Sequence, residues 1–211
     1  MAVTPDGRTV LVLTSTGVTG ITPVDTATNR AGEPVAIHGA YGLAVAPGGG
    51  TAYVLAMPDP GSQQGFAVPV HIRTSTAGTP IRVGLNPVQI AFTPDAKMAY
   101  VANYASESVT PIQLADGRAG PPIAAGRMPA RLAVSPDGRT VYVLDSNIFG
   151  GMATEMPVSA QVRMLSRILF CMLVKKPPVG RGQVIPIRVT TNSAGKPIKV
   201  GRLPVAIAIA S

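Results

Sequence analysis

The sequence has no tryptophan, one cysteine, two histidines, and only 4% aromatic and 13% charged residues. The lone Cys171 excludes an intrachain disulfide and any cysteine-cluster metal site; it leaves the compartment open, because many exported proteins also lack bridges. Scarce aromatics argue against nucleic-acid binding, since basic side chains without interleaved stacking rings lack half of the usual recognition surface. The apolar run Ile168–Val174 is seven residues long, against the roughly 20 that a membrane-spanning helix needs. A basic start followed by an apolar stretch and a small-residue cleavage site is also missing, so no signal peptide is expected.

What is plentiful is glycine and proline, 44 of 211 residues together (23 and 21), set among valine, isoleucine and threonine. Hydrophobic residues reach 46%, which argues against disorder and for many short strands joined by many turns. Residues 127–145, RMPARLAVSPDGRTVYVLD, show the unit: an apolar run, the turn Pro136-Asp137-Gly138, then β-formers from Thr140 to Leu144. Proline fixes φ, aspartate caps its own turn and glycine accepts a positive φ, so the segment predicts a β-hairpin. Counterparts put the turn prolines at 5, 47, 94 and 136, spaced 42, 47 and 42 apart, and a period near 42 marks a repeat architecture.

Each repeat lays out as four strands, the third most plainly: Val88–Thr93, Ala99–Tyr104, Ser108–Leu114 and Pro121–Ala125. One repeat-built domain over 1–211 follows, with units of about 1–38, 39–83, 84–126 and 127–200 and a stub at 201–211. The first unit lacks most of its opening strand, as though the chain started inside the fold. About 34 extra residues, roughly 148–182, fall between the second and third strands of the fourth unit. Residues 151–182 hold Arg163, Arg167, Lys175, Lys176 and Arg181 against Glu155, which makes +4 of the net +8. Within them Ser159 can cap a helix running through Val162, Leu165, Ile168, Leu169 and Met172. Three readings of this tract stand open: a helix packed on the repeats as a cover or partner-binding element, a basic helix lying on a membrane surface, or a non-native tract, to which its four methionines point.

Four-stranded units of this period, a Pro-Asp-Gly turn, Tyr100-Val101-Ala102-Asn103 and Val109-Thr110-Pro111-Ile112 together resemble the YVTN-family β-propeller repeats. The match spans roughly 1–148 and 183–211, and the absence of tryptophan separates it from WD40 blades of similar period. The signature asparagine is replaced by Thr14, Ala56 and Asp145 in the other units. The resemblance implies an all-β fold of four-stranded antiparallel blades, about four and a fragment where the family commonly builds seven. It implies a surface or secreted, extracytoplasmic setting, and says little about activity.

Asp6, Asp95 and Asp137 recur at one place, but turn capping explains them better than a ring of acid–base or cation-binding carboxylates. His38 and His71 have no recurring acidic or cysteine partner, so no metal is expected, nor any cofactor. No Gly-x-Ser-x-Gly elbow is present, and Gly48-Gly49-Gly50 lacks the lysine and helix of a phosphate cradle. Loops between second and third strands share one face with the blade-to-blade links, and their lengths vary, so recognition is expected there, around Asn103, Tyr104, Asp145 and Asn147.

The reading that follows is a non-catalytic module binding a protein, glycan or small ligand on that loop face. The alternative is a lactonase-like or streptogramin-lyase-like propeller enzyme, supported by shared architecture only. Two ways of finishing the sheet remain open: Leu203–Ala210 can return beside Thr9–Leu13 to complete the first blade, or the blades form an open arc. The family's larger blade number favours the arc, which would expose apolar blade faces and invite self-association.

Overall fold

A computed structural model describes residues 1–14, 19–59, 61–146, 181–202, 204 and 206–207. Among them there is no helix; every regular element belongs to one of four antiparallel sheets. Blade 1 holds β1 (Ala2–Val3), β2 (Thr9–Thr14), β3 (Gly20–Asp25), β4 (Arg30–Ala31) and β5 (Val35–Ala36). Blade 2 holds β6 (Ala40–Val45), β7 (Thr51–Ala56), β8 (Gln64–His71), β9 (Thr76–Ala77) and β10 (Ile81–Leu85). Blade 3 holds β11 (Pro87–Phe92), β12 (Met98–Asn103), β13 (Ser108–Gln113), β14 (Arg118–Ala119) and β15 (Ile123–Ala124). Blade 4 holds β16 (Pro129–Val134), β17 (Thr140–Asp145), β18 (Arg181–Arg188), β19 (Ser193–Ala194) and β20 (Ile198–Arg202). The tract 147–180, with its expected helix, lies outside the described residues.

The hairpin turns form as their residues dictate. Thr4 Oγ1 donates to Asp6 Oδ1 at 2.6 Å, and the same carboxylate oxygen accepts the Arg8 N–H at 3.1 Å. Thr93–Asp95–Lys97 and Ser135–Asp137–Arg139 repeat these bonds. In blade 2, where Ala46 and Gly48 stand in their place, the backbone bond Gly49 N to Ala46 O (2.8 Å) holds the turn without them.

The expected fourth strand, Pro121–Ala125 in blade 3, matches only the second of two short pieces, here β15; a first piece not expected from the sequence, here β14, also pairs with the third strand, and the same holds in every blade. The third strand carries a mid-strand proline, Pro23, Pro69, Pro111 or Pro186, whose carbonyl accepts from Gly32, Gly78, Gly120 or Gly195 at 2.7–2.8 Å. A residue's N–H and C=O point to the same side, so the missing proline N–H faces the gap between the pieces, where no ladder bond is lost. Each glycine sits on the proline ring; a Cβ added there would lie 3.1–3.2 Å from the proline Cγ. The first strands begin at Pro87 and Pro129, earlier than the hydrophobic run suggested, and bulge one residue further on.

Blades stack face to face, so second strands are buried on both sides: Ala99, Tyr100, Val101 and Ala102 all have no exposed surface. This is why such strands read as continuous apolar runs and not as alternation. Tyr53 of blade 2 meets Phe92 of blade 3 with ring centroids 5.5 Å apart and tilted by 53°, and Tyr100 Oη donates to Asn192 Oδ1 of blade 4 at 2.7 Å. Burial of Tyr100 pushes its phenol up to about 12. The four blades do not close into a ring. β1 lies beside β2 at Ala2↔Leu11 and Val3↔Val10, and most of Leu203–Ala210, expected as an alternative partner for that strand, lies outside the described residues.

Candidate binding surface

Asn103 and Asp145 end the second strands of blades 3 and 4 at one register position, opposite Ser108 and Gln183. Both side chains have no exposed surface. Asn103 Oδ1 accepts the Gly84 N–H at 3.1 Å while its Nδ2 donates to Thr110 Oγ1 at 2.8 Å. Ser106 Oγ accepts the Leu85 N–H at 3.1 Å, extending the network. Asp145 accepts the Met128 N–H at 3.0 Å, the Arg127 N–H at 3.3 Å and Gln183 Nε2 at 2.9 Å. Each side chain therefore holds the segment arriving from the preceding blade, and satisfies N–H groups that a strand ladder cannot reach.

Of the other expected loop-face residues, Tyr104 is half-buried and its hydroxyl donates to Met128 Sδ at 3.7 Å. Asn147 lies outside the described residues. The structure thus sets Tyr104 and Met128 side by side at the junction of blades 3 and 4, between the two buried clamps. Asp6, Asp95 and Asp137 stay in their separate turns, each held below the usual carboxylate value first by its Thr or Ser hydroxyl and then by the following backbone N–H. Among the described residues no three His, Cys, Asp or Glu side chains gather as metal ligands.

Two grooves run along the outer junction of blades 2 and 3. On the loop face, about 630 Å³ is bounded by Arg82, Gly84, Ser106, Glu107, Thr110 and Pro122. Toward the turn face, about 840 Å³ is bounded by Tyr53, His71, Arg82, Asp116 and Gly117. Arg82 borders both, and its Nε donates to Gln64 Oε1 at 3.0 Å. The second groove has a local cause: Gly117 stands in the turn position that Asn192 fills at the next junction, so no side chain reaches Tyr53 as Asn192 reaches Tyr100. Charge and motif reading did not single out Arg82, Glu107 or Asp116, because they share a groove only once two blades pack. The sequence signal was a glycine where another repeat has asparagine.

No protein-family model matches this sequence, and no curated protein matches it. Solved structures do. The chain is similar to hydrazine synthase of Kuenenia stuttgartiensis, with 21% identity, 95% of this chain and 48% of that one covered, and a TM-score of 0.69. It is also similar to a functionally unknown protein of Desulfotomaculum acetoxidans DSM 771, with 18% identity, 94% and 55% covered, and a TM-score of 0.62. At these identities the likeness concerns the fold alone, and the chain spans about half the length of either neighbour.

Proposed function

We propose that the chain is a propeller-repeat module of YVTN type that binds a protein, glycan or small ligand without transforming it. The observation that carries this reading is the pair of grooves joined at Arg82, which offers a cation, a carboxylate from Glu107 or Asp116, and an aromatic edge from Tyr53 on a rigid frame. Concave sites with a few polar groups on ordered strands suit recognition, and the buried polar groups Asn103 and Asp145 are occupied in holding the frame. The extracytoplasmic setting belongs to the same proposal.

The test is a glycan array together with a small-molecule thermal-shift screen on the chain, followed by Arg82→Ala and Asp116→Ala. A hit whose binding weakens at least tenfold in Arg82→Ala supports the groove. Turnover of lactones or cyclic esters that persists through purification, and is lost with one loop-face substitution, would overturn the non-catalytic reading in favour of a lactonase-like enzyme.

A further inference from the structure

At the junctions of blades 2 and 3 and of blades 3 and 4, one register position of the second strand, the residue paired with the mid-strand proline, faces the turn between third and fourth strands of the next blade. The strand positions are Leu11, Tyr53, Tyr100 and Tyr142, paired with Pro23, Pro69, Pro111 and Pro186. The turn positions, each just before the first piece of the fourth strand, are Asn29, Ser75, Gly117 and Asn192, all at positive φ. Tyr100 meets Asn192 with the 2.7 Å bond already described, Tyr53 and Gly117 border one groove, and Leu11 and Ser75 hold the equivalent positions in blades 1 and 2. Among the described residues, no further blade stands against Tyr142 on blade 4 or against Asn29 on blade 1. The two ends therefore carry between them the same tyrosine and asparagine, at the same positions, that form the Tyr100–Asn192 hydrogen bond inside the arc.

The apolar surroundings match in the same way. Ile198 on blade 4 is 52% exposed, while Ile123 at the same place in blade 3 is 7% exposed against blade 4. On blade 1, Val10, Val12 and Val24 are half-buried, while Ala99, Val101 and Ile112 at the same places in blade 3 have no exposed surface against blade 2. Each end is half of an interface that the molecule builds three times internally.

We propose that a second copy of this chain docks head to tail, its blade 1 on the outer face of blade 4, with Tyr142 donating to Asn29 of that copy. The contact is heterologous, so the same pairing at the other end either closes two arcs into one ring of blades or extends a ladder. Burial of Ile198 and the three valines drives it, and the Tyr–Asn bond fixes its register.

Sedimentation velocity over a concentration series under reducing conditions tests this, with Val12→Asp on the blade 1 face and Ile198→Asp on the blade 4 face. The wild-type chain is expected to associate with rising concentration, each variant alone to remain single, and an equal mixture of the two to associate again through the remaining intact faces. Tyr142→Phe and Asn29→Ala should each weaken association about five- to tenfold, the worth of one hydrogen bond, and together no more than either alone. A wild-type chain that stays single at all concentrations overturns the proposal. So does loss of association in only one of the Asp variants, which means a face paired with itself, or failure of the mixture while both variants keep the wild-type β circular dichroism.

Discussion

Asn103 shows how a residue that reads as a binding candidate can be committed to the fold. It ends a strand on the expected recognition face, yet its amide is buried and bonded to Gly84, Thr110 and Ser108. Asn103→Ala should cost about 1–3 kcal/mol, because the Gly84 N–H and the Thr110 hydroxyl lose their partner in a buried place; urea unfolding measures it, and a neutral result would deny the clamp. Gly84→Ala should cost a similar amount, about 1–3 kcal/mol, since its new Cβ would lie 2.6 Å from Asn103 Cγ and 2.3 Å from Ser106 Oγ. The turn carboxylates make a prediction in pH. Folding lowers the pKa of Asp6, Asp95 and Asp137, so their contribution is complete above the unfolded value of about 3.9 and is lost as pH falls through the folded value. Replacing all three with Asn should flatten the acid limb of the stability curve below about pH 4; an unchanged limb would show that these turns do not govern acid unfolding.

At the scale of elements, repetition provides internal controls. Tyr100→Phe should destabilise by about 1 kcal/mol through the lost bond to Asn192, while Tyr53→Phe should be close to neutral because Gly117 offers its hydroxyl no side chain. Equal denaturation midpoints for the two variants would contradict the junction geometry. The β17–β18 ladder keeps the register of β12–β13, Asp145↔Gln183 matching Asn103↔Ser108, although 37 residues separate the first pair and four the second. Replacing 146–182 with the four residues that link Asn103 to Ser108 should therefore preserve the fold. Circular dichroism and a melting midpoint within a few degrees of the parent are the expected readouts, and loss of cooperative unfolding would mean that the tract contributes to blade 4.

At the scale of the whole molecule, an open arc makes stability uneven. Blade 3 has a neighbouring blade on both sides, whereas among the described residues blades 1 and 4 each have one on a single side. Native-state hydrogen exchange on dilute, single chains should find the slowest amides at Val101, Ala102 and Val109, and faster exchange at Val10 and Val12, since local opening follows local packing. Uniform protection across all four blades would mean that the end faces are covered.

The sequence by itself determined the all-β class, the period, the hairpin turns and the place of the extra residues, because each of these is local chemistry: proline, aspartate and glycine set φ and turn bonds wherever they stand. It also carried the split of the fourth strand, in a proline followed nine residues later by a glycine in every repeat. That signal acquires meaning only from the geometry of the ladder beside it. The tertiary structure alone decided that Asn103 and Asp145 face inward, that Arg82, Glu107 and Asp116 border a shared pair of grooves, and that Tyr142 and Asn29 stand at matching open ends. Those facts depend on which residues of one blade meet the next, dozens of positions away in the chain, and the angle at which blades pack is set by the sum of many side-chain contacts rather than by any one motif.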